Sequence, residues 1–132
     1  MASIRKETLI ESPAPVVWAV FRDIGAVHTR LAPGFVTDCR MDGKDRIVTF
    51  ANGRVVREVI VHIDDNARRL AYSVRTEKLT HHHATFEVKP DGEDRCRVVW
   101  VADLLPDDAA GAMEGMMEQG SAAMKRTLEQ DR

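Results

Sequence analysis

Apolar and polar residues alternate over most of the chain, and only the last quarter switches to helical spacing. Met113, Met116, Met117, Gly120, Met124 and Leu128 recur three and four positions apart, which predicts one long helix over residues 106–130 with a single apolar face. Upstream, strand-like runs occupy residues 3–10, 35–41, 46–51, 54–63, 70–76, 82–89 and 95–105. Between the first two runs, Ser12 reads as a helix N-cap, with Pro13 and Pro15 in the first turn, where a missing N–H costs nothing. Val17, Val20, Phe21 and Ile24 mark the buried side of that helix and Trp18 its flank. Gly25 ends it, and a second short helix is expected over residues 26–31. Asp42-Gly43 and Asn52-Gly53 predict two-residue type I′ hairpins, while Asp64-Asp65-Asn66 and Pro90-Asp91-Gly92 mark further turns.

This order predicts an α+β fold: a seven-stranded curved antiparallel sheet wrapped around a long C-terminal helix, with two short helices after strand 1. A sheet with one apolar face must cover it, and the closing helix carries the only large apolar stripe. Gly111, Gly115, Gly120 and several alanines leave that interface short of bulk, so a hollow is expected. Methionine suits the wall of such a hollow because its thioether chain is unbranched and adaptable; ordinary core packing is the alternative. Met124 and Leu128 are expected to seal the core, and Met113, Met116 and Met117 to face the hollow.

The chain has 132 residues, which suits one domain over 1–132. It is 44% apolar and 30% charged, with a net charge of −2 and no cluster of Lys or Arg, so neither nucleic acid nor an anionic membrane is an expected partner. No apolar run is long enough to span a membrane, and the first six residues lack the apolar core of a signal peptide. Cys39 and Cys96 lie in strand-like stretches, read as buried free thiols in a reducing cytoplasm; a disulfide between them is the alternative. No paired-cysteine metal site, glycine-rich phosphate loop or Ser/His/Asp arrangement is legible, so no metal or cofactor is expected. The oligomeric state is left open.

Three adjacent histidines, His81, His82 and His83, cannot converge on one metal within a strand, because neighbouring side chains point to opposite faces. The alternation of Ala84, Phe86 and Val88 places His82 inward and its two neighbours outward. His82 then serves either as a ligand contact or as a core histidine satisfied by a neighbour. Tyr72, Phe86 and Trp100 also fall on inward positions. Lys6 shares the parity of Ile4, Thr8 and Ile10, near enough to a strand end to snorkel out. Residues 55–63 are apolar on both faces, so the direction of Glu58 stays open: an inward carboxylate needing a partner, or a surface one paired with Arg or Lys.

Ile10-Glu11-Ser12-Pro13 with Val17-Trp18 and Asp23, Val56-Arg57-Glu58 leading to Ile63-Asp64-Asp65, Arg69-Leu70-Ala71-Tyr72, and Pro90-Asp91-Gly92 with Trp100 and Pro106 follow one another in an informative order. Over nearly the whole chain they resemble the START-like (SRPBCC) superfamily, in particular its polyketide cyclase/dehydrase-like branch. The resemblance implies a helix-grip fold with an elongated cavity for apolar or amphipathic small molecules. Relatives include aromatases and cyclases, lipid carriers and the abscisic acid receptors. In those receptors the position matching Glu58 holds a cavity glutamate, and that matching His82 a ligand-contacting tyrosine. The resemblance therefore points Glu58 inward; an inward carboxylate needs a partner, and His62 and His82 are the candidates to supply it.

Three functions follow as expectations. In the first, an apolar small molecule (a lipid, polyketide or aromatic metabolite) is bound by Tyr72, Phe86, Trp100, His62, Met113, Met116, Met117 and Gly120. The second is a cyclase, aromatase or dehydratase in which His82 or Glu58 moves a proton. A third is an interaction module working through its surface.

Overall fold

In a computed structural model, which describes residues 1–130, the alternating runs form the expected strands. They are β1 (Ala2–Ile10), β2 (Val36–Asp42), β3 (Asp45–Phe50), β4 (Val55–Asp64), β5 (Arg69–Arg75), β6 (His81–Pro90) and β7 (Cys96–Leu105). The last two positions of the expected 1–132 domain lie outside the described residues. All seven strands join one antiparallel sheet in the order β1-β7-β6-β5-β4-β3-β2: a meander from β2 to β7, with β1 added alongside β7. Between β1 and β2 lie helix α1 (Ala14–Arg22) and a single π-helical turn over Val27–Leu31. After β7, a short 3₁₀ turn (Asp107–Ala109) leads into helix α2 (Ala110–Gln130). The helix-grip architecture predicted from patterning is the one observed.

One face of the sheet is buried under the helices. It carries Ile4 and Ile10 of β1, Val48 of β3, Val56 of β4, Leu70 and Tyr72 of β5, Ala84, Phe86 and Val88 of β6, and Val98, Trp100 and Leu104 of β7. Helix α1 buries Val17, Val20 and Phe21 as expected, and Trp18 is buried too, its indole N–H donating to Asp65 at 3.0 Å. Ile24 lies beyond the end of that helix.

Ser12 is not the cap of α1. Pro13 occupies that position, extended at φ −62° and ψ 145°, and no side chain caps the helix. Proline's fixed φ pre-orients the turn, and its carbonyl accepts the first helical bond from the Val17 N–H at 3.1 Å.

Neither glycine hairpin is type I′. The β2–β3 turn is Gly43-Lys44, since Asp42 pairs with Asp45, and Gly43 has φ +65°. The β3–β4 turn has three residues. Gly53 sits at φ +88°, its N–H donates to the Phe50 carbonyl, and the Phe50 N–H donates to the Arg54 carbonyl. That geometry is a three-residue loop closed by a left-handed glycine, a common hairpin connection after the primed two-residue turns.

Cys39 and Cys96 are both buried free thiols.

Helix α2 is fastened to β1 at two levels. Lys6 turns out of the inward row and bonds Glu118 at 3.2 Å. Near the far end, the Lys125 ammonium donates to the Leu9 carbonyl at 2.6 Å and to Glu129 at 2.8 Å, while the Glu11 N–H donates to Glu129 at 2.8 Å.

Candidate functional site

A cavity of about 460 Å³ opens between the concave face of the sheet and the first half of α2. It exists because the helix presents little bulk there: a methyl group added at Gly111 or Gly115 would meet nothing within 4 Å. Val48, Val56, Phe86, Trp100 and Met113 form apolar walls. Exposed lining residues, among them Asn52, Arg54, Lys78, Gly111, Gly115 and Gln119, set a mouth between the β3–β4 turn, the β5–β6 connection and the start of α2.

Glu58 faces this cavity and is buried. Its partner is neither His62 nor His82. Arg46, directly opposite it on β3, donates from Nε to Glu58 Oε1 at 2.7 Å, with the two side chains only 6% and 9% exposed. The same guanidinium donates from Nη1 to the Ile24 carbonyl at 3.2 Å and lies 5.7 Å from the centroid of the Tyr72 ring. A buried carboxylate is thus neutralised at short range, and a second N–H of the arginine ties the sheet to the segment that follows α1. Arg46 escaped sequence reasoning. The available signal was its place among Val48 and Phe50 on the inward row of β3, opposite Glu58 across a tight hairpin.

His62 is exposed, away from the cavity. A bulge in β4 is responsible. Ile60 pairs with Tyr72, but His62 pairs with Ala71 and Ile63 with Leu70, so the extra residue at Val61 reverses the alternation. Ile63 thereby takes the inward position that simple parity assigns to His62.

His82 is buried on the cavity wall at 5% exposure. Its Nδ1 accepts a hydrogen bond from the Val74 N–H at 3.0 Å, and its backbone carbonyl accepts from the Ser73 hydroxyl. Accepting at Nδ1 puts the ring proton on Nε2. Burial, reinforced by the neighbouring His81 and His83, lowers its pKa to about 4, so the ring is neutral near pH 7. His82 consequently offers the cavity an N–H donor and has no free lone pair with which to accept a proton.

Tyr72, Phe86 and Trp100 form a continuous aromatic wall. Phe86 stacks on Trp100 at 4.6 Å and on Tyr72 at 5.8 Å between ring centroids. The Trp100 indole N–H donates to the Tyr72 oxygen at 3.0 Å, which leaves the phenol's own hydrogen free to donate elsewhere. Burial first, and then the Glu58 charge, push the Tyr72 pKa well above its ordinary value, so this proton stays on.

On α2, Met113 and Met116 line the cavity as expected, but two assignments exchange places. Met117 is fully buried and lies off the cavity wall, whereas Met124 belongs to the wall. Gly120 is not a wall residue either. A methyl group there would stand 3.1 Å from Phe35 Cε2 and from Trp100 Cζ3, so its role is to let the helix settle onto these rings. The described residues contain no group of His, Cys, Asp and Glu side chains able to hold a metal ion. Among the described residues no helix is long and apolar enough to cross a membrane.

The fold is shared with solved structures of low sequence identity. The chain superposes on the XoxI protein of Bacillus cereus with a TM-score of 0.86 at 19% identity, over 100% of this chain and 99% of that one. A START superfamily protein from Mycobacterium smegmatis gives 0.82 at 13% identity over 98% and 99%. A point mutant of norcoclaurine synthase from Thalictrum, in complex with a transition-state analogue, gives 0.74 at 20% identity over 99% and 96%. No curated protein matches the sequence. The family described as "Polyketide cyclase / dehydrase and lipid transport" matches residues 1–129, and to that family, START-like in fold, this chain belongs.

Proposed function

We propose that this protein binds an apolar or amphipathic small molecule in the cavity between sheet and α2. The reading rests on one observation: about 460 Å³ that the side chains leave unfilled, walled by Phe86, Trp100, Val56 and the methionines, with few polar groups converging on it. A volume of that size with that lining suits a lipid-like or aromatic metabolite. Inside, Tyr72 Oη–H and His82 Nε2–H are both donors, and the carboxylate of Glu58 is occupied by Arg46. The inner polar atom of the ligand is therefore a hydrogen-bond acceptor, such as a carbonyl or ether oxygen. Binding in a reducing cytoplasm belongs to this reading, supported by the two free thiols.

Native mass spectrometry of protein purified from its own host tests the proposal. A retained apolar metabolite is expected, and His82→Phe is expected to weaken its binding about tenfold through loss of one buried hydrogen bond. Failure of every apolar candidate to bind, by calorimetry, would remove the reading.

A second reading, acid–base catalysis on the same ligand, draws on the placement of Glu58 and the protonated Tyr72 on one wall. Here Glu58 accepts a proton through its other oxygen, and the Tyr72 hydroxyl, keeping its own proton, donates a hydrogen bond to the substrate oxygen on which charge develops. Unchanged turnover of an identified substrate by Glu58→Gln would exclude it.

A further inference from the structure

The charges lining the cavity do not match the charge of the molecule. The chain carries a net −2, yet the wall sums to +2. Arg46 and Glu58 cancel one another within the interior, and His82 is neutral. What remains is Arg54 and Lys78, both exposed at the mouth on opposite hairpin connections, β3–β4 and β5–β6. Neither side chain has a carboxylate partner among the described residues. Glu114 and Glu118 of α2 turn to the other flank, toward Lys6. Glu77 is next to Lys78 in sequence but does not line the cavity.

The neutral groups of the mouth repeat the bias. The Asn52 side-chain oxygen is occupied by the Arg54 backbone N–H at 3.0 Å, which leaves the amide NH₂ as its free group. The mouth therefore offers two cations and an amide donor to whatever enters. The interior offers an anion nothing comparable, because its single cation is already held by Glu58. Burying an uncompensated carboxylate there is costly, while leaving it at the mouth keeps it hydrated and beside two positive charges.

We propose that the cavity selects an anionic amphiphile, its apolar body inside and its acidic group held between Arg54 and Lys78 at the mouth. This inference rests on the cavity being a ligand site and adds the sign and position of the ligand's charge.

Calorimetric titration with decanoate, decanol and decylammonium, which share one apolar chain, separates the two ideas. At low salt the protein is expected to bind decanoate about tenfold more tightly than decanol, as two exposed ion pairs allow, with decylammonium weakest. The gap closes at high salt. It also closes in the double variant Arg54→Gln/Lys78→Gln, which binds decanol as the parent does. Both positions are exposed turn residues, so this variant is expected to fold, with unchanged circular dichroism. Charge reversal at both positions (Arg54→Glu/Lys78→Glu) moves the preference to decylammonium. Equal affinity for decanoate and decanol, or a preference that survives the double variant, overturns the charge selection while leaving the cavity reading intact. Absence of binding by all three overturns the cavity reading, and this one with it.

Discussion

Two glycines on α2, five residues apart, face opposite packing demands. At Gly115 an added methyl group enters open space, whereas at Gly120 it presses on Phe35 and Trp100 at 3.1 Å. Alanine favours a helix interior by up to about 1 kcal/mol over glycine, and overpacking an aromatic contact costs about 1–3 kcal/mol. Gly115→Ala is therefore expected to raise the urea midpoint and Gly120→Ala to lower it. Stabilisation by both substitutions would show that the rings give way freely. His82 supplies a second residue-scale expectation. Its pKa moves from an ordinary 6.5 in the unfolded chain to about 4 in the fold, so the unfolded state binds the extra proton between those values. Stability should accordingly be unaffected by this group above about pH 6.5 and fall as the pH drops toward about 4, by up to roughly 3 kcal/mol. Denaturant midpoints across that range should show the slope in the parent, and a shallower one in His82→Phe.

At the scale of elements, the last turns of α2 carry its main-chain fastening to β1, while most of its cavity border lies in the first half. The Lys125 and Glu129 bonds hold its last turns against the end of β1, whereas Gly111, Gly115 and Gln119 border the mouth. Lys125→Met removes a charge-assisted bond to the Leu9 carbonyl and is expected to cost about 1 kcal/mol. Amide exchange should quicken in the final turns of α2 and leave the strands unchanged; uniform quickening would mean that the two halves move as one unit. Element identity was the most legible part of this chain. Strand alternation and the methionine stripe predict all seven strands and the closing helix, because burial of one face imposes a period that local sequence must carry. The bulge in β4 was not legible. Residues 55–63 are apolar on both faces, so no break in period marks the point where Val61 is inserted, and His62 ends up outside.

For the whole molecule, the cavity follows from a mismatch of bulk between a broad aromatic wall and a helix poor in side chains. Tyr72, Phe86 and Trp100 stack on one side, and glycine and alanine answer them on the other. An occupied cavity would stabilise the fold by mass action, so the same titrations should appear as a rise in Tm with ligand concentration. The chain by itself determined the elements, their order, and the inward parity of Tyr72, His82, Phe86 and Trp100, because these depend on spacing along one strand or helix. Only the tertiary structure decided that Glu58 meets Arg46, that the His82 Nδ1 is taken by Val74, and that Met117 packs away while Met124 reaches the wall. Each of those outcomes depends on cross-strand register or on how the helix seats against the sheet, and such contacts join residues whose positions along the chain carry no mutual signal.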